Sequence, residues 1–112
     1  IVGYGPHVLR AAECIAGRPV FYSIGNFLGI GGLSTQGLAG LAAVAQMAFD
    51  ANKKLLASRL VPIRFDSNKF PQVDPTGQAI ALVWHLNVLA KQKLKDFVPA
   101  QPAWAGLSDT NY

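Results

Sequence analysis

One histidine of this 112-residue chain lies where a reactive side chain would be expected. His7 follows a Gly- and Pro-containing segment, residues 3–6, that comes directly after the apolar start Ile1-Val2. Such a start is typical of the end of a strand, and loops at strand ends often carry functional groups. A neutral imidazole binds zinc, manganese or iron well, and a Gly/Pro frame fixes its direction. His7 is therefore a candidate metal ligand or acid–base group; the alternative is a loop histidine hydrogen-bonded to backbone.

A second candidate loop follows the next apolar run and contains Ser23 and Asn26. Two such loops would meet at one edge of a sheet. The Asn26 amide would then donate to an anion or hold the His7 ring; alternatively, Asn26 only tolerates a left-handed turn beside Gly25. Ser23 lacks the G-x-S-x-G context of a serine nucleophile, so we expect it to have a supporting role.

Two motifs in this part of the chain resemble one protein family. Residues 3–9 read G-x-x-P-H-V-L and residues 17–27 read G-x-P-V-F-Y-S-I-G-N-F, which is similar to the C-terminal part of bacterial capsule-synthesis CapA proteins. That family includes the PgsA-type proteins of poly-gamma-glutamate synthesis and belongs to the calcineurin-like metallophosphoesterase superfamily. The resemblance runs from about Ile1 to Phe97. It implies an α/β fold, with α+β character in this fragment: part of a β-sandwich flanked by helices, with β-hairpins and a C-terminal helix.

The resemblance also implies a function and a site. The implied activity is metal-dependent phosphoester hydrolysis, or a role in making or exporting an anionic capsule polymer such as poly-gamma-glutamate. His7 matches the second histidine of the family's G-H-x-P-H loop and would bind a divalent Mn, Fe or Zn ion. Tyr4, Ser23 and Asn26 would support the site or contact the substrate. Tyr4 replaces the loop's first histidine, and a phenol, with a pKa of about 10, is a poor ligand at neutral pH. This replacement favours the alternative, a non-catalytic protein that binds polymer or partner proteins and has a degenerate metal site.

The resemblance divides the chain into residues 1–97, the C-terminal portion of a CapA-like domain, and a Pro-containing tail, residues 98–112. Because the sequence has no initiator Met and enters directly on an apolar strand, we interpret it as a fragment whose N-terminal metal-binding motifs lie elsewhere. Family members are often held at the outer face of the cytoplasmic membrane, so the resemblance implies an extracytoplasmic location beside membrane-associated capsule-synthesis machinery. A third interpretation is a small structural module unrelated to the family.

Charge and cysteine content argue against several other functions. The net charge of +4 comes from scattered basic residues, so no nucleic-acid partner is expected. Cys14 is the single cysteine, which rules out an internal disulfide and a cysteine-based zinc site, and we expect a small buried thiol. Glu13 is expected on the exposed side of a strand, and Asp50, Asp66 and Asp74 in turns. No carboxylate pair suited to acid–base catalysis is predicted.

The elements that position the candidate site are predicted to be two hairpins. Residues 8–15 and 19–22 are apolar runs separated by a turn, and residues 42–49 and 55–65 flank the turn Asp50–Lys54. Pro62 indicates an edge strand or a bulge. The Gly-rich segment 28–40 lacks the spacing of a phosphate-binding loop and is expected to connect the two hairpins.

The clearest helix is predicted to run from Thr76, a suitable N-cap, to about Lys95. Its main apolar face is expected to contain Ile80, Val83, Trp84, Asn87 and Val88. His85 lies in the middle of this helix and is interpreted as a packing or surface histidine.

Overall fold

A computed structural model describes residues 1–29 and 32–90. Its elements are the strands β1 (Ala12–Ile15), β2 (Arg18–Phe21), β3 (Ala42–Phe49), β4 (Leu55–Phe65) and β5 (Pro71–Val73), a 3-10 helix (Gly37–Gly40) and helix α1 (Gln78–Leu89). They form two small antiparallel sheets and one helix, so the α+β class and both predicted hairpins are confirmed. The predicted extension of α1 to Lys95 and the tail, residues 98–112, lie outside the described residues.

The first sheet is the β1–β2 hairpin, and its surroundings fix the loop that carries the candidate histidine. The Ala16-Gly17 turn has positive φ at both positions, 49° and 74°, as in the two-residue turns that match strand twist. Ahead of β1, Gly3 N donates to Phe21 O at 2.8 Å, and Leu9 forms a bridge with Ile24. The loop between Gly3 and Leu9 is therefore anchored at both ends.

The second sheet has the order β3-β4-β5 and uses the same four-residue turn motif, D-x-N-K, twice. In each turn the Asp50 or Asp66 carboxylate accepts hydrogen bonds from the amides two and four residues further on, at 2.8–2.9 Å. Lys53 and Lys69 adopt left-handed φ angles of 63° and 65°. Each hairpin loop is thus a turn followed by a left-handed residue, and the predicted turn positions of these aspartates are confirmed.

The prediction that Pro62 marks an edge strand or a bulge is wrong. β4 is the middle strand of its sheet, and the irregularity in the β3–β4 ladder lies at Ala48/Phe49. The Pro62 carbonyl accepts from Asp74 N at 2.9 Å, so the backbone of Pro62 faces the end of β5. Because a residue's N and C=O point to the same side of a strand, the missing N–H does not interrupt the pairing with β3.

The start of α1 is stabilised by a different residue from the one predicted. The N-cap is Gly77, with φ of 71°, and not Thr76. The Asp74 carboxylate accepts from Thr76 N at 3.0 Å, from Thr76 Oγ1 at 2.7 Å and from Gln78 N at 3.2 Å. These bonds, the Thr76 hydroxyl first, lower the pKa of Asp74. Asp74, which lies upstream of the N-cap, therefore stabilises the start of the helix, the role predicted for Thr76.

The buried face of α1 is only partly the predicted one. Ala79, Val83 and Asn87 are buried, whereas Trp84 is 54% and Val88 61% exposed. Helix α1 has apolar residues on all of its sides, so its sequence gives little indication of which side packs against the core. The core that α1 completes consists of Leu9, Ala12, Phe21, Ala43, Ala79 and Val83.

One polar side chain lies inside this core. Asn87 is fully buried, and its Oδ1 accepts a hydrogen bond from Ala12 N at 2.8 Å. The bond joins α1 to β1. The Asn87 Nδ2 is buried without a hydrogen-bond partner among the described residues. Cys14, predicted to be buried, is half-buried on β1.

Candidate functional site

His7 lies at the end of a tight turn on the surface. Its backbone N–H donates to Tyr4 O at 3.1 Å, and its φ of 59° is in the left-handed region, which side-chain-bearing residues seldom occupy. The residue as a whole is exposed to solvent. The turn therefore holds His7 at a defined place on the surface beside the β1–β2 hairpin.

Asn26 is the partner of this imidazole. It is 4% exposed, and its Nδ2 donates to Ser34 O at 3.1 Å and to Ala39 O at 3.3 Å. Two carbonyl acceptors fix which end of the amide is the donor, so Oδ1 must face the other way. His7 Nδ1 lies 3.0 Å from that Oδ1.

This orientation determines the protonation pattern of the His7 ring. An amide oxygen only accepts hydrogen bonds, so the imidazole Nδ1 must carry the proton it shares with Asn26. In the neutral ring the lone pair is then on Nε2, which is the atom not engaged by Asn26. A hydrogen bond from one ring nitrogen that fixes the other as a ligand is the usual arrangement around metal-binding histidines.

Ser23 and Gly25 build the backbone that places Asn26. Ser23 is 2% exposed, its carbonyl accepts from Arg10 N at 3.1 Å, and its Oγ accepts from Gly25 N at 3.4 Å. Gly25 has φ of 76°, and a Cβ there would lie 2.9 Å from Leu41 O. The left-handed residue of this turn is thus Gly25 and not Asn26, so the interpretation of Asn26 as a turn former is wrong.

Tyr4 and Ser23 make different contributions from those of the central pair. Tyr4 is 69% exposed, and its backbone carbonyl, not its phenol, meets His7. Ser23 is buried, and its hydroxyl is directed to the turn amide of Gly25. The structure therefore brings His7 and Asn26 together, while Ser23 supports the loop and the Tyr4 phenol stands in solvent.

The other titratable side chains near the sheet are engaged elsewhere. The Tyr22 hydroxyl donates to Glu13, and this bond raises the pKa of Tyr22. His85 is exposed on α1. Within residues 1–29 and 32–90, no group of three or more His, Cys, Asp or Glu side chains is arranged to hold a metal ion. Among the described residues, His7 with Asn26 as its orienting amide could provide at most one ligand of a metal site.

Sequence reasoning missed the two carbonyls that hold Asn26. Ser34 and Ala39 lie in or next to a Gly-rich segment with no regular pattern, and their contribution is through backbone oxygen atoms. Every residue type has a backbone carbonyl, so the sequence does not indicate which carbonyls accept these hydrogen bonds. Asn87 was predicted to lie on the apolar face of the helix, and its hydrogen bond to Ala12 N was likewise not predicted.

Comparison of the chain with protein-family models gives no match. No curated protein matches the chain either. Among the described residues, no helix combines the length and the apolar character that crossing a bilayer requires.

Proposed function

We propose that this chain contributes one metal-binding histidine to a CapA-like, metal-dependent phosphoesterase of the metallophosphoesterase superfamily. The observation that supports it is the pair formed by His7 and Asn26, with 3.0 Å between Nδ1 and Oδ1. Asn26 is held by Ser34 O and Ala39 O, so it orients the ring before any ligand binds. Such preorganisation is what a metal ligand needs.

In this proposal the residues present have separate tasks. His7 Nε2 binds a Mn, Fe or Zn ion, and Asn26 fixes the ring and its tautomer. The exposed Tyr4 phenol would donate a hydrogen bond to a phosphoryl oxygen of the substrate. A metal supplies charge stabilisation and an activated water in phosphoester hydrolysis. The remaining ligands must come from polypeptide outside the described residues.

The same proposal extends to the whole protein. The two small sheets would form part of a β-sandwich flanked by helices, and residues 1–97 would belong to one CapA-like domain. The substrate would be a phosphoester or an anionic polymer such as poly-gamma-glutamate. The protein would act outside the cytoplasm, with membrane-associated capsule-synthesis machinery.

A second candidate function is a non-catalytic protein that binds polymer or partner proteins. Two observations favour it. Tyr4 stands at the position of the family's first loop histidine, and the described residues contain no cluster of three or more metal-ligating side chains. Under this alternative, Asn26 holds His7 for a hydrogen bond to a partner.

Metal titration distinguishes the two functions. The protein expressed from its complete gene is purified without chelator and examined by native mass spectrometry and calorimetry with Mn²⁺, Fe²⁺ and Zn²⁺. We expect one or two bound ions, loss of one ion or at least a tenfold weaker affinity in His7→Ala, and a roughly 10- to 100-fold weaker affinity in Asn26→Leu. His85→Ala is the matched control, because that histidine is exposed on α1.

A metal-free protein under all three supplements, or His7→Ala and His85→Ala variants with equal affinity, would overturn the phosphoesterase proposal and favour the binding protein. If metal binds, hydrolysis of a chromogenic phosphodiester by the same samples tests the activity.

A further inference from the structure

An open groove lies away from His7, between the turn ends of the two hairpins. Its volume is about 510 Å³. Arg18 and Pro19 of β2 line one side, and Met47 and Phe49 of β3 line the other. The hairpins are tied together at the opposite end, where Ala43 N donates to Ile24 O at 2.9 Å. From that bond they diverge towards their turns and leave the groove between them.

The groove combines cations with apolar side chains. Arg18, Lys53 and Lys54 line it, and among residues 1–29 and 32–90 no acidic side chain does. The nearest carboxylate in sequence, Asp50, does not line the groove, and its Oδ1 accepts the amides of Asn52 and Lys54 within its own turn. The walls therefore favour a ligand that carries both negative charge and apolar groups.

One wall of the groove is the outer edge of a sheet. β3 is the terminal strand in the order β3-β4-β5, and the Ala43 N–H points away from β4 because it bonds Ile24. Backbone groups alternate in direction along a strand, so those of Ala45 and Met47 also point outward. Among the described residues, neither has a strand partner on that side. An unpaired edge of this kind is a template for adding a strand.

We propose that this groove binds an acidic peptide segment of a partner protein, in extended conformation, as an additional strand on the outer edge of β3. Its backbone pairs with Ala45 and Met47, its carboxylates meet Arg18, Lys53 and Lys54, and its alternate apolar side chains contact Phe49. A nucleic acid fits less well, because a phosphodiester chain offers no amides to the strand edge. The proposal is independent of the metal site.

Fluorescence anisotropy of a labelled peptide of alternating glutamate and valine, with the full chain, tests this inference. We expect saturable binding that weakens at least about tenfold in Lys53→Glu/Lys54→Glu and about as much when glutamine replaces the peptide's glutamates. Lys69→Glu is the matched control, since Lys69 occupies the same left-handed position in the other D-x-N-K turn and does not line the groove. Its affinity should stay within about twofold of wild type.

A second peptide tests strand addition without altering the protein. Methylation of alternate backbone nitrogens removes the donors that would pair with β3, and it should abolish binding. Equal loss in the Lys69→Glu control, equal binding of the methylated peptide, or stronger competition by single-stranded RNA or polyacrylate than by the peptide would each overturn the proposal. His7→Ala should leave peptide binding unchanged, which separates this test from the metal proposal.

Discussion

The hydrogen bond between His7 and Asn26 predicts an unequal tautomer population that can be measured directly. The bond is 3.0 Å long and partly buried, and the buried amide that accepts it is held by two further bonds. A hydrogen bond of this type contributes about 1 kcal/mol net, which favours the Nδ1–H form of the His7 ring about fivefold. The exposed His85 of the same chain provides the internal reference.

Long-range ¹H–¹⁵N NMR of the histidine rings at alkaline pH, where imidazoles are neutral, reports this population. We expect the ratio of Nδ1–H to Nε2–H to be about five times higher for His7 than for His85. In Asn26→Leu the two ratios should become equal. That variant also loses the bonds to Ser34 O and Ala39 O, so we expect it to be about 2 kcal/mol less stable.

Equal tautomer ratios for His7 and His85 in the wild-type protein would show that Asn26 does not orient the ring. An unchanged His7 ratio in a folded Asn26→Leu variant would show the same. The measurement needs no metal, so it tests the geometry separately from the proposed activity.

Three further predictions concern stability. Asn87→Ala leaves a cavity and an unpaired β1 amide, so chemical denaturation should show a loss of about 2–3 kcal/mol; a loss below about 0.5 kcal/mol would contradict the assigned bond. The folded pKa of Asp74 lies below the ordinary value of 3.8, so its contribution is present above that value and is lost as the pH falls through the folded pKa. Urea denaturation across this acid range should therefore give a flatter stability profile for Asp74→Asn than for wild type, and identical slopes would count against it. Gly25→Ala should cost at least about 1 kcal/mol more than Gly17→Ala, because both have positive φ but only Gly25 would place a Cβ against Leu41 O; equal losses of thermal stability would disprove the close approach.

Hairpins and turns were the features that the sequence predicted well. The turn Asp50–Lys54 indicated β3 and β4 as the two arms of a hairpin, and the aspartates of the D-x-N-K turns carry their own local hydrogen bonds. These hydrogen bonds join residues that are close in sequence, so the residue types alone indicate the turns. The prediction that Pro62 lies on an edge strand or a bulge was wrong because strand order depends on contacts between distant segments, which residue type alone does not specify.

The candidate site was predictable only in part. Residue types suggested His7 and Asn26, and an amide that holds the ring was one of the interpretations left open. The outward Tyr4 phenol and the inward Ser23 hydroxyl were not distinguished, because both lie in loops without a periodic pattern. The carbonyls that hold Asn26 and the inward stripe of α1 emerge only from packing.

In the sequence the β1–β2 hairpin lies between His7 and Asn26, so under the proposed function its stability would depend on whether a ligand is bound. If the flanking pairs Arg10–Ser23 and Leu9–Ile24 opened together with the hairpin, the two side chains would separate, and a ligand held by the oriented His7 ring would bind mainly the closed form. At a ligand concentration of one hundred times Kd, this linkage stabilises the closed form by about 2.7 kcal/mol. Amide hydrogen exchange that proceeds through opening of this hairpin would then slow about a hundredfold. The protection of Glu13 and Val20, which face each other across the hairpin, would measure binding at a distance from the imidazole.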